Sequence, residues 1–181
     1  VGSKKTSGYG ELEVTEIKKY EESTILGDEE ELNQDLNKRW EKFNQVHDSL
    51  VGNNTSTKRV FSITLMSDAI FKDRYFRYLS VLTPEFLEES TGISFEEVNL
   101  LHQEIDTSIR PGWNQKWGTA IDDIYITKMG STYLYEIPAN KESEWIGKLE
   151  KIEKEGLGEK INEGFGKVIV CHPFHQVVEG V

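Results

Sequence analysis

The 181-residue chain contains one cysteine, Cys171, so it can form no internal disulfide framework and no zinc site built on clustered thiolates. A lone cysteine suits a reducing compartment, and a cytoplasmic location is expected. No apolar run approaches the roughly 18–20 residues that span a bilayer as a helix. The first residues carry neither a charged n-region nor an apolar h-region and do not form a signal peptide. Positive charge is scarce: 21 Lys and Arg stand against 32 Asp and Glu, a formal net charge of −11. On average such a surface repels phosphate and argues against a nucleic-acid partner. What is present is globular in character, with 36% hydrophobic residues and an aromatic content of 10%, too high for a disordered chain.

Several catalytic and cofactor signatures are missing as well. Gly166-Lys167 is followed by Val168, without the Ser or Thr and the helix that a Walker A loop needs. Gly156-x-Gly158 is followed by Ile161 where a dinucleotide fingerprint has its third glycine. No G-x-S-x-G elbow occurs. His172 and His175 invite a metal reading, but an extended strand would set them on opposite faces, and no carboxylate cluster joins them. No cofactor and no metal are expected. Cys171, inside an apolar run, reads as a buried, inert thiol. Paired acids such as Asp122-Asp123 and Glu96-Glu97 read as surface charge.

Along the chain, residues 10–20 show the partial alternation of a strand. From Asp28 to Leu50 the period changes: Leu32, Leu36, Trp40, Phe43, Val46 and Leu50 form one apolar stripe of an amphipathic helix. Residues 51–58 read as a linker. A β-rich region then opens at Lys58, with RVFSITL as one strand and RYFRYLSVL as a second. Short helices are expected at PEFLEES and at SFEEVNLLHQ, the latter with Ser94 as N-cap and Glu97 in the capping box. EIDTSIRPGWNQKWG reads as mixed strand and loop, and AIDDIYITKMGSTYLYEIP as two strands with Gly130 between them. Residues 141–155 form a clear helix with Trp145, Leu149 and Ile152 on one face, Ser143 as a possible cap and Gly156 past its end. A glycine-rich loop follows at 159–167, and then KVIVCHPFH as a final buried strand. The order after Lys58 is compatible with a ferredoxin-like α+β sandwich, βαββαβ. SGYGELEV near the start repeats the pattern of EGFGKVIV near the end, so the chain is expected to be the C-terminal part of a longer protein.

Three stretches could bind an anion or a base. Lys4, Lys5 and Ser7 in the first glycine loop, and Lys160 and Lys167 in the second, could add phosphate contacts to bare backbone N–H groups. The competing reading is two tight turns that use glycine for positive φ. Arg110, Trp113, Lys116 and Trp117 form the densest aromatic–cation cluster, suited to stacking bases and holding phosphate, or to packing by tryptophan. FKDRYFRY at 71–78 is a locally basic, aromatic patch that a half-buried strand would equally produce. The acidity is itself uneven. Residues 1–10 hold two lysines and no acid, whereas 11–50 hold 12 acids and 5 bases.

The two loops, SKKTSGYGELEV and GLGEKINEGFGKVIV, resemble the glycine-rich loops of the RAMP superfamily of CRISPR-associated proteins. IRPGWNQKWG, MGSTYLYE and GFGKVIVCHPFH are similar to the type III-D handle-binding branch, the Csx-ten family. The resemblance covers both chain ends and the stretch from about Arg59 to His175. It implies a ferredoxin-like, RRM-like fold. Residues 1–20 would be the loop and last strand of a first such domain, 21–57 a helical connector and linker, and 58–181 a complete second domain. It implies a non-catalytic subunit that holds the 5′ handle of a CRISPR RNA and touches a large polymerase-like subunit and backbone subunits. Carried over residue by residue, Gly2, Ser3, Lys4, Lys5, Ser7, Gly8, Tyr9 and Gly10 match the first loop. Lys160, Gly164, Phe165, Gly166 and Lys167, with Gly158, match the second, and Gly130 and Ser131 a glycine–serine turn. Glu159 and Glu163 depart from the more basic form of such loops. Some relatives cleave precursor RNA, for which His172 or His175 would be the general base. A purely structural assembly subunit is the remaining alternative.

Overall fold

A computed structural model of the chain describes residues 35–52, 57–92, 94, 95, 97–114 and 116–176. The chain divides into units Val1–Asn33 and Gln34–Val181, and every described residue lies in the second. The strand expected at 10–20, Leu32 and the whole first glycine loop, Gly2 to Gly10, fall outside the described residues.

Helix α1 spans Leu36–Val51 and ends at Gly52, whose left-handed backbone lets its N–H reach Asp48 O. Strand β1 follows at Lys58–Leu65. RYFRYLSVL is not one strand. It contributes to a small hairpin, β2 (Phe71–Lys72) and β3 (Tyr78–Leu79), because Asp73 turns the chain. Its carboxylate accepts the N–H groups of Tyr75 and Arg77, at 2.9 and 3.0 Å, so these donors leave any ladder. Helix α2 (Pro84–Thr91) starts as expected, with proline in its first turn and Thr83 Oγ1 accepting Phe86 N–H at 3.3 Å.

The short helix expected over SFEEVNLLHQ is strand β4 (Asn99–Glu104) instead, and Glu97, offered as a capping-box residue, has φ 65° in the turn that leads into it. Tertiary pairing with a neighbouring strand overrides the local capping signal. Strands β5 (Thr107–Asn114) and β6 (Thr119–Thr127) form a long hairpin. Its register shifts between Arg110 and Gly112, which places Pro111 at the bulge, where a missing N–H costs no ladder bond. Strand β7 (Thr132–Pro138) comes after Gly130, which has φ 90°. Helix α3 (Glu142–Glu155) buries Trp145, Leu149 and Ile152 as the spacing predicts, although Ser143 lies inside it and caps nothing. The last strand, β8, is only Val168–Val170; Cys171 takes φ 50° and Pro173–Gln176 form a 3-10 turn, so the strand expected through HPFH ends early.

Strands β1, β4, β7 and β8 make one antiparallel sheet in the order β4-β7-β1-β8. With α2 between β1 and β4, and α3 between β7 and β8, the succession is βαββαβ. This α+β arrangement is compatible with a ferredoxin-like fold, into which the two hairpins are inserted. The core is aromatic: Phe61 stacks on Tyr135 at 5.2 Å and on Trp145 at 5.9 Å, and Phe95 meets Trp145 edge-on at 4.9 Å. Tyr133 and Tyr135 are fully buried, and their hydroxyls donate to Ser80 O and Leu82 O at 2.6 and 2.5 Å, pinning the β3–α2 connection to β7. Burial holds both phenols well above the ordinary tyrosine range.

Helix α1, expected as a connector, packs into this core through Leu36, Trp40 and Phe43. The rest of its stripe is not buried: Val46 is half-exposed and Leu50 is 66% exposed. Arg39 and Asn44 are buried instead, for a definite reason. β8 covers only part of the β1 edge, and beyond it Asn44 takes the place of a strand. Val60 N–H donates to Asn44 Oδ1, and Asn44 Nδ2 donates to Val60 O, both at 2.9 Å. The Trp40 indole N–H adds a third bond to Val60 O at 2.7 Å. Arg39 Nη2 donates to both carboxylate oxygens of Glu153 on α3, at 2.9 and 2.8 Å, and Glu153 also accepts Val170 N–H at 2.7 Å.

Candidate nucleic-acid interface

The second glycine-rich loop, 156–167, joins α3 to β8 and lies against residues 66–71, which follow β1. Glycine is required there by close backbone approach. Leu157 N–H donates to Gly166 O at 2.8 Å, and a Cβ on Gly166 would sit 1.9 Å from Leu157 O. A Cβ on Gly156 would meet Gly166 O at 2.8 Å, and one on Gly158 would meet Ile70 O at 2.4 Å. Gly164, with φ 91°, faces open space.

A phosphate cradle needs N–H groups that point outward. In this loop those of Glu163, Gly164, Phe165, Gly166 and Lys167 are donated to Lys160 O, Ile161 O, Lys160 O, Asp68 O and Ser67 Oγ. The tight-turn reading accounts for these five N–H groups. Its charges are also matched: Lys160 lies 3.3 Å from Glu163, and Lys72 lies 3.0 Å from Glu159. That contact with Glu159, acting against a smaller cost of burial, raises the Lys72 pKa.

The fold does gather some of the sequence-predicted residues. Arg110 of β5 places its guanidinium 5.5 Å from the Phe165 ring centroid, so the aromatic–cation cluster and the second loop meet. Asp68, not singled out in the sequence, organises that meeting. Its carboxylate accepts Arg110 Nη2 at 2.6 Å and Met129 N–H at 3.1 Å, and its carbonyl accepts Gly166 N–H at 2.9 Å. No sequence signal separates Asp68 from 31 other acids. Trp113 stands opposite Ala120 farther along the hairpin, and Trp117 at the hairpin's end is 73% exposed. Lys160 has φ 57°, and Lys167 is exposed with its carbonyl accepting Met66 N–H at 2.7 Å.

A second aromatic–cation patch caps the β2–β3 hairpin. Tyr75 is 63% exposed, with Arg74 and Arg77 guanidiniums 4.9 and 5.4 Å from its ring centroid. Phe76 is 80% exposed and holds φ 61°. Tyr78 packs on Tyr125 of β6 at 5.2 Å, and Lys72 lies 4.9 Å over the Tyr78 ring. The exposed hairpin replaces the half-buried strand that FKDRYFRY could equally have formed.

The histidines are closer together than an extended strand would allow. The 3-10 turn brings their ring centroids to 6.1 Å, with His175 Nε2 3.0 Å from Thr64 Oγ1. Phe174 N–H donates to His172 Nδ1 at 3.0 Å, which leaves the proton of a neutral His172 on Nε2. Burial first, then the charges of His175 and Arg39, hold its pKa below the usual histidine value. A neutral ring with its proton on Nε2 and Nδ1 already occupied is a poor general base. Among the described residues no group of three His, Cys, Asp or Glu side chains could hold a metal ion, and no helix is long and apolar enough to cross a membrane. Burial pushes the Cys171 thiol up to about 12, in keeping with an inert sulfur. No family model matches the chain, and no curated protein matches it.

Proposed function

We propose that this chain is a non-catalytic RNA-binding subunit of a type III CRISPR ribonucleoprotein, with the RAMP form of the ferredoxin-like fold. It would hold the 5′ handle of the CRISPR RNA and touch the polymerase-like and backbone subunits. The observation that carries the reading is the union of Arg110 and Phe165: a cation and a ring from separate elements meet beside the glycine loop that resembles the family's own. The hydrogen bond from Phe174 N–H to Nδ1 makes His172, one of the two candidate general bases, a poor one for RNA cleavage. With five N–H groups of the second loop already donated, this reading gives phosphate recognition to the first loop, with Lys4, Lys5, Ser7 and Tyr9. The same spent groups are what an assembly subunit would have, and that reading predicts no crosslinks from RNA to Lys4, Lys5 or Tyr9.

The test is filter binding of labelled handle RNA to the assembled complex across a salt series. Each single-strand phosphate contact contributes about 0.7 to the slope of log K against log salt. Replacing Lys4 and Lys5 by alanine should therefore flatten the slope by about 1.4 and weaken loading. An unchanged slope would refute the placement of phosphates at the first loop.

A further inference from the structure

We propose that the tip of the β2–β3 hairpin, residues 73–78, is a stacking platform for the bases of single-stranded RNA, distinct from the glycine loops, with Phe76 as its outermost ring. The proposal rests on the RNA-binding reading of the chain and adds a second contact to it.

Folding alone does not explain the tip. A phenylalanine at φ 61° occupies a region that asparagine or glycine would fill with less strain, and at 80% exposure its ring repays little of that strain by burial. The turn is nonetheless built firmly. Asp73 accepts two backbone N–H groups and the Arg77 guanidinium, Phe76 N–H donates to Asp73 O at 2.9 Å, and Asp73 N–H donates to Arg77 O at 3.0 Å. The ring is held out, not left out.

Its surroundings fit a nucleic acid better than an apolar pocket on a protein. Cations flank the rings: Arg74 and Arg77 lie over Tyr75, and Lys72 lies over Tyr78. Residues 71–79 carry three cations and one acid in a chain of net charge −11. That acid, Asp73, is paired with Arg77 at 2.7 Å, and Arg74 makes no ion pair among the described residues. Bases stack on such rings whatever their identity, and Arg74 beside Tyr75 is placed to meet a phosphate between bases, whereas Lys72 is paired with Glu159. Glu85, Glu88 and Glu89 of α2 line the groove next to the tip with Arg74, Tyr75 and Arg77. They weaken phosphate contact there, so stacking dominates and salt dependence at this site is shallow.

The probe is a fluorescein-labelled 12-mer of uridine, titrated against the full chain by anisotropy, with a 4-thiouridine version for crosslinking. Phe76→Asn keeps the left-handed turn and removes the ring. It should raise Kd roughly 5- to 150-fold, the span expected for one lost stack, and abolish crosslinks to 75 and 76. Phe76→Trp should restore binding, and Glu89→Gln should tighten it. The thermal midpoint of Phe76→Asn should be equal to or above that of the parent, which separates a lost ring from a lost fold. An unchanged Kd in folded Phe76→Asn overturns the platform while leaving the handle-binding reading intact if Lys4→Ala with Lys5→Ala still weakens binding. A parent chain that neither binds nor crosslinks the probe overturns the platform, and the handle-binding reading then stands or falls on the assembled-complex assay. Phe76-dependent association with other subunits, without RNA crosslinks at the tip, would make it a protein contact and overturn the proposal.

Discussion

Replacing Gly166 by alanine, with Gly164→Ala as its control, separates two reasons for glycine in one loop. Both positions have positive φ, 71° and 91°, so both variants carry left-handed strain of ~1–2 kcal/mol. Both also gain about 0.4–1 kcal/mol from a less flexible unfolded chain. For Gly164, with open space around it, nothing else changes, and the net cost is about 1 kcal/mol or less. At Gly166 the new Cβ would lie 1.9 Å from Leu157 O, where contacts below 3.0 Å essentially never occur. The two backbone segments must separate by about 1 Å or more, which breaks the 2.8 Å bond from Leu157 N–H to Gly166 O. A buried donor left unsatisfied costs a further ~1–3 kcal/mol, so the total for Gly166→Ala is about 3 kcal/mol. Urea unfolding followed by tryptophan emission measures the difference, since Trp40 and Trp145 are each 1% exposed in the folded chain. With m of about 1–3 kcal/mol/M, the Gly166→Ala midpoint should fall by about 1–3 M, and the Gly164→Ala midpoint by well under half of that. Equal shifts would refute the close-approach explanation and leave φ as the sole reason for glycine.

Two further predictions concern titratable groups. Cys171, fully buried and with its thiol pushed up to about 12, should not react with a disulfide reagent at pH 8 until the domain unfolds. Rapid stoichiometric labelling of the native chain would contradict its burial. His172 has a folded pKa below its ordinary value of 6.5, so the unfolded chain binds the proton first as the pH falls. Its contribution to stability is complete above about pH 6.5 and is lost as the pH drops from there towards the folded pKa. Urea midpoints measured just below pH 6.5 should therefore fall with pH in the parent and fall less steeply in His172→Gln. A steeper slope in the variant would reverse the sign and sink the assignment.

How legible the fold was depends on which force set each element. Helix α3 could be read because burial at Trp145, Leu149 and Ile152 follows the helical period without interruption. β1 could be read because its run of apolar residues is flanked by polar turns. β4 could not: Ser94 and Glu97 carry a genuine capping pattern, and only pairing with β7, distant in sequence, decides against it. The hairpin at 71–79 was hidden because one carboxylate, Asp73, competes locally for backbone donors. At α1 the apolar spacing continues to Leu50 although the helix runs past what it packs on, while Asn44, polar in sequence, proves to be structural. Within the site, cation and ring types were visible, but not which acids would meet them.

The acids that meet these cations change what the net charge means for binding. Around the second loop Arg110 pairs with Asp68 at 2.6 Å, Lys160 with Glu163 at 3.3 Å, Lys72 with Glu159 at 3.0 Å and Lys128 with Asp106 at 2.7 Å. Hydrogen bonding to Lys128 also holds Asp106 below the ordinary carboxylate range. Exposed pairs of this kind contribute little, so a phosphate can displace the acid, but it gains little by doing so because the acid stays nearby. A surface built this way discriminates against non-specific polyanion binding, whose affinity comes from unmatched cations. It leaves ring stacking, which the acids do not oppose, as the main local attraction. An RNA that bound here would therefore have to present unstacked bases.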